Sequence, residues 1–139
     1  MDIKDILLII FPFISGVISA WITYLFTLRA KKNENILKFK EEKYANLLIL
    51  LQGFVGNTTS GELKKKFFEE QYKSWLYASD DVVESVNDLV KLLIEERGKT
   101  PDSKRGRDVV GNIVLQMRKD LLGKTKLENN DFWYTDVIE

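Results

Sequence analysis

From Ile6 to Leu28 the chain reads ILLIIFPFISGVISAWITYLFTL, 23 residues without one charged side chain. At about 1.5 Å per residue a helix of that length extends about 34 Å, enough to cross a hydrocarbon layer of about 30 Å with some tilt. A core helix of a soluble protein rarely runs so far without a charge. A cleaved signal peptide needs a basic start, a shorter apolar run and a small-residue cleavage site. This chain begins MDIKD, and Trp21, Tyr24 and Phe26 carry the apolar run past Ala20. The pattern therefore predicts a retained transmembrane helix, with residues 1–28 forming a short N-terminus plus the span. Pro12 removes one backbone donor near the outer end and is expected to kink it.

Beyond Leu28 the apolar positions become periodic. Ile36, Leu37, Tyr44, Leu47, Leu48, Leu51 and Val55 follow three- and four-residue steps, which predicts one long helix leaving the membrane and running into a domain. Gly53, Gly56 and the polar run NTTSG end it, and Thr59 with Glu62 has the spacing of a capping box for a second helix. That helix is amphipathic: Leu63, Phe67, Gln71 or Tyr72, Trp75 and Leu76 are expected inside, and Lys64, Lys65, Glu69, Glu70 and Lys73 outside. Ser79, Asp80 and Asp81 cap a third helix with apolar positions Val82, Val83, Val86, Leu89, Val90, Leu93 and Ile94. The segment GKTPDS is a loop, with Thr100 and Pro101 as cap and first helical position. A fourth helix carries Val109, Val110, Ile113, Val114, Met117 and Leu121 after KRGR, and Gly123 is its expected C-terminal cap. From Lys124 the periodicity stops. The expected fold is all-α: one N-terminal transmembrane helix, then a cytosolic bundle of about four helices over 29–123, then a tail over 124–139.

Charge sets the orientation. The N-terminal flank has Lys4 against Asp2 and Asp5, whereas Arg29, Lys31, Lys32, Lys38, Lys40 and Lys43 follow the span. The positive-inside rule then places the N-terminus outside and the C-terminal domain in the cytoplasm, which is the expectation for a plasma (inner) membrane anchor. The same basic stretch offers Arg29, Lys31, Lys32 and Lys38 to anionic lipid headgroups, although any anchor of this orientation requires such charges.

Within the span Ser15, Ser19, Thr23 and Thr27 recur every fourth residue beside Gly16 and Ala20. Small side chains on one face let two membrane helices approach closely, so Ser15, Gly16, Ser19, Ala20 and Thr23 are a candidate helix–helix contact. The hydroxyls can equally bond their own helix carbonyls. In the tail Phe132, Trp133 and Tyr134 cannot all face one core. Either some of them fold back over the bundle, or they anchor a partner.

Composition narrows the chemistry. With 21 basic and 21 acidic residues in 139, no net field favours nucleic acid, which is not expected as a partner. The chain has no Cys and no His, hence no thiolate nucleophile, no imidazole base and no soft metal ligands. Asp80, Asp81, Glu84 and Asp88 read more simply as a capped, solvated helix start than as a cation site. Lys104, Arg105 and Arg107 lack the strand and the spacing of a phosphate loop. No nucleophile and base stand at a recognisable spacing, so no enzyme activity and no cofactor are expected.

The runs WLYASDDVVESVNDLV and LQMRKDLLGKTKLENNDF resemble stretches of uncharacterised prokaryotic proteins that join one N-terminal membrane helix to a small helical domain. The resemblance covers most of residues 36–132. It implies a helical fold and a bacterial, archaeal or phage setting, and it brings no site residue. The sequence thus leads to the expectation of a membrane-anchored interaction module, homo-oligomeric or paired with a cytosolic protein. The alternative is a membrane-perturbing effector of toxin or phage-defence type whose span helices oligomerise and breach the bilayer.

Overall fold

The computed structural model describes residues 3–54, 60–97 and 103–133. Among them are four α-helices and no strand: α1 (Ile3–Leu51), α2 (Gly61–Ser74), α3 (Asp80–Glu95) and α4 (Ser103–Leu122), with short 3-10 turns at Gln52–Phe54 and Asn129–Asp131. The chain is all-α, as its periodicity predicts.

By compactness it divides into two units, Met1–Lys38 and Phe39–Glu139. In the first, every described side chain is exposed, and the apolar window of α1 has mean hydropathy 2.3 with none of it buried. This helix is long and apolar enough to cross a membrane. It continues through Pro12. Serine and threonine side chains can occupy backbone acceptors in such a helix, and Ser15 Oγ does donate to the Pro12 carbonyl at 3.0 Å.

The second unit is the bundle. Its core is built from Tyr44, Leu47, Leu50 and Leu51 of α1, Phe67 of α2, Val82, Val86 and Leu89 of α3, and Val110, Ile113 and Met117 of α4. Successive helices run in opposite directions. The α2–α3 turn returns beside the first residues of the unit, where Tyr77 meets the Phe39 ring edge-on at 5.5 Å and lies 5.9 Å from the Tyr44 ring. At the other end Phe54 packs edge-on against Phe67 and Phe68, at 5.0 and 5.9 Å. A Cβ on Gly53 would lie 2.6 Å from Leu63 Cβ, so the close approach of the turn after α1 to the start of α2 depends on glycine there.

Three local expectations change. Thr59 lies outside the described residues. The N-cap of α2 is Ser60, whose Oγ accepts the Leu63 amide at 3.4 Å, so the cap stands one residue later than the Thr59–Glu62 spacing suggests. Gly56, Thr100 and Pro101 also lie outside the described residues. The inner face of α2 is Phe67, Gln71 and Ser74, not Trp75 and Leu76. At 100° per residue, Ser74 returns to within about 20° of Phe67, whereas Leu76 falls about 180° away. Trp75, Leu76 and Tyr72 are accordingly 61%, 88% and 74% exposed. The same geometry leaves Ile94 of α3 exposed, while Leu92 is buried. Gly123 caps α4 as expected: its φ is +80°, in the left-handed region, and its amide donates to the Lys119 carbonyl at 2.7 Å.

Candidate functional site

Ser15, Gly16, Ser19, Ala20 and Thr23 all lie on the exposed part of α1. Nothing stands within 4 Å of a Cβ placed on Gly16, so that face is open to a neighbour. Two hydroxyls of the stripe are already turned to their own backbone, Ser15 to the Pro12 carbonyl and Thr27 to the Thr23 carbonyl at 2.8 Å. Both readings of the stripe thus have a structural counterpart: local satisfaction at Ser15 and Thr27, and an unobstructed small-residue strip at Gly16.

Arg29, Lys31 and Lys32 are exposed. Lys38 pairs with Glu34 one turn earlier at 2.7 Å, with both side chains about two-thirds exposed (68% and 61%), so its charge is partly offset along the helix. Lys40 departs from its basic neighbours. Its Nζ donates to Asp120 Oδ2 at 2.8 Å, and the Tyr44 hydroxyl donates to the same oxygen at 2.5 Å. The Lys40 and Asp120 side chains are only 20% and 14% exposed. This lock joins α1 to the end of α4. Burial first, then the bond to Asp120 and its charge, hold the Tyr44 phenol far above its usual value, against a smaller opposing contribution from the Ser79 backbone.

A second polar group sits nearby on α2. Glu70 Oε1 accepts from Lys73 at 2.6 Å. Its other oxygen and the Tyr77 hydroxyl are buried without a hydrogen-bond partner among the described residues. Burial, with the Glu70 charge adding to it, pushes the Tyr77 phenol up to about 12. These phenols are held protonated, the reverse of what a nucleophile or base needs at neutral pH. The cluster's chemistry is that of a structural clamp.

The periodicity of the sequence did not reveal this clamp. The signal was present: Asp120 follows Met117 by three residues and Ile113 by seven, on the buried stripe of α4, and Lys40 and Tyr44 are one turn apart. An acid on an apolar stripe needs a partner from another helix.

The tail splits its aromatic residues. Phe132 packs partly buried against the core, and a Cβ on Gly111 of α4 would lie 2.8 Å from the Asn129 carbonyl oxygen and 3.5 Å from Phe132 Cβ. Gly111 thus lets the segment around Asn129–Asp131 lie directly on α4. Glu128 and Asp131 close a reciprocal capping box there, with the Glu128 amide donating to Asp131 at 2.8 Å. Trp133 is 78% exposed, with the Arg107 guanidinium 5.8 Å from its ring centroid. Tyr134 lies outside the described residues. No group of acidic side chains among the described residues is arranged to hold a metal ion.

No family model, curated protein or solved structure matches the chain.

Proposed function

We propose that this protein is a single-pass membrane anchor carrying a cytoplasmic helical interaction module, with its N-terminus outside the plasma membrane and residues 29 onward inside. The observation that carries the reading is the contrast between the two units. From Ile3 to Lys38 every described side chain is exposed, including a continuous uncharged apolar run, whereas Phe39–Glu139 closes its own core. An exposed apolar surface of that extent is far larger than soluble monomers carry, and lipid is the solvent that covers it at no cost. Arg29, Lys31 and Lys32 at the end of the run favour the inward orientation and contact with anionic headgroups.

The module works by association. Its partner is a second copy, joined through Ser15, Gly16, Ser19, Ala20 and Thr23, or a cytosolic protein that recognises the bundle and its exposed Trp133. The bilayer-breaching alternative is less well supported. A water-filled path needs polar groups facing it, yet no charged residue lies between Ile6 and Leu28, and Ser15 and Thr27 are bonded to their own helix. Replacing Gly16 and Ser19 together by Leu tests the association. A membrane two-hybrid signal for self-pairing should drop severalfold, as close backbone approach is lost. An unchanged signal removes this face from the proposal. Loss of membrane potential on expression of the native chain, abolished by the same substitutions, promotes the effector reading instead.

A further inference from the structure

We infer that the α2–α3 turn, led by Trp75 and Leu76, is a second membrane contact, a tip by which the bundle rests in the headgroup layer of the bilayer that anchors it. The inference rests on the membrane-spanning reading and extends it to the bundle.

Trp75 and Leu76 are among the most exposed large apolar residues of the bundle, at 61% and 88%, and Tyr72, one turn before Leu76, is 74% exposed. They are held in place, since the Leu76 and Tyr77 amides donate to the Lys73 and Ser74 carbonyls and the Tyr77 ring packs on Phe39 and Tyr44. Phe39 is the first residue of the bundle, itself 46% exposed. The end of α4 reaches the same place through the Lys40–Asp120 bond, and there Leu122 is 62% exposed. Phe39, Tyr72, Trp75, Leu76 and Leu122 thus stand exposed at the end where the chain arrives from the span, while Ile49, Ile94 and Trp133 are exposed elsewhere on the bundle.

Lipid is the occupant this arrangement fits. Phe39 is only eleven residue steps past Leu28, about 17 Å as helix and no more than about 40 Å by any path, so this end never leaves the neighbourhood of the bilayer. A tether that short makes docking effectively intramolecular, and even a weak preference is realised. Tryptophan and tyrosine are the side chains that favour the interfacial layer. Arg118, Lys119, Lys124 and Lys126, all exposed around the end of α4, suit an anionic leaflet; Asp80 and Asp81, just past the turn, are exposed as well.

The test uses the full chain in vesicles of phosphatidylethanolamine and phosphatidylglycerol, in two single-tryptophan forms. One carries W21F and W133F and keeps Trp75; the other carries W75F and W133F and keeps Trp21. Lipids brominated at shallow positions on the acyl chain should quench Trp75 by roughly a third or more, and aqueous iodide should reach it weakly. Iodide quenching equal to that of an exposed tryptophan overturns the inference. So does a Trp75 shielded from both quenchers, which means that protein, such as a second copy, covers the tip. Trp21 separates the two proposals: if bromolipids at no depth quench it, the span fails, whereas quenching of Trp21 but not Trp75 sinks the tip alone. Should a substitution unfold the bundle, carbene photolabelling from lipid acyl chains decides on the unaltered chain, by adducts on the peptide 74–79 or their absence.

Discussion

Substituting Asp120 by Ala probes the bond that closes the bundle at its Phe39 end. One carboxylate oxygen of Asp120 takes both the Lys40 ammonium and the Tyr44 hydroxyl, at 2.8 and 2.5 Å. Exposed ion pairs contribute about 0–1 kcal/mol, and breaking a fully buried one costs about 3–5 kcal/mol. With side chains 20% and 14% exposed, this pair stands between those limits. Alanine also leaves the Tyr44 hydroxyl, on a residue only 1% exposed, without its acceptor. A loss of about 2–3 kcal/mol follows, which for a bundle of this size lowers Tm by roughly 10–20 °C. Asp120→Asn keeps an acceptor for Tyr44 and gives up the charge, so roughly half that loss is expected. The assay is urea unfolding of the full chain in mild detergent, followed by far-UV circular dichroism, with Lys40→Met completing a double-mutant cycle. A coupling energy of about 1–2 kcal/mol is expected between Lys40 and Asp120. If Asp120→Ala costs less than about 0.5 kcal/mol, or the cycle shows no coupling, the clamp does not hold α1 to α4 and the reasoning is wrong.

Gly111→Ala should release the tail, because the new Cβ would meet the Asn129 backbone oxygen at 2.8 Å. Helix propensity gains up to about 1 kcal/mol and overpacking costs about 1–3, so the segment lifts while α4 persists. Chymotryptic cleavage at Phe132 and Trp133 should then accelerate severalfold with the bundle's unfolding midpoint nearly unchanged; unaltered cleavage would show that the tail does not depend on this contact. Alkaline pH should unfold the bundle. In the unfolded chain both phenols ionise near pH 10, whereas in the fold Tyr77 keeps its proton up to about 12 and Tyr44 holds its own more firmly. Their contribution is therefore intact below about pH 10 and lost as pH rises through 12, so the midpoint in urea should fall over that window. Tyr44→Phe should be less stable at pH 8 yet flatten the alkaline decline, and parallel declines in the two proteins would count against the assignment.

How far the sequence revealed this fold depends on what each residue had to match. The apolar run after Ile6 and the stripes on α3 and α4 were legible because they repeat over several turns, and Gly123 was legible because a positive φ at a helix end selects glycine. The second helix was misread at its end. Trp75 and Leu76 continue the composition of a core face, but the helix stops at Ser74 and their phase is wrong, so bulk hydrophobicity outweighed angle. That misreading and the missed clamp share a cause. Both concern residues whose environment is set by another helix: Asp120 is accounted for by Lys40 and Tyr44, far away in sequence, and the exposure of Trp75 by the packing of Tyr77 on Phe39. Periodicity reports which side of a helix is apolar, and says nothing of which distant residue completes it. A polar residue on a buried stripe and an aromatic residue off one are the positions to examine first. Here the first marks the lock between α1 and α4, and the second marks the surface that the bundle, having closed its core, leaves uncovered.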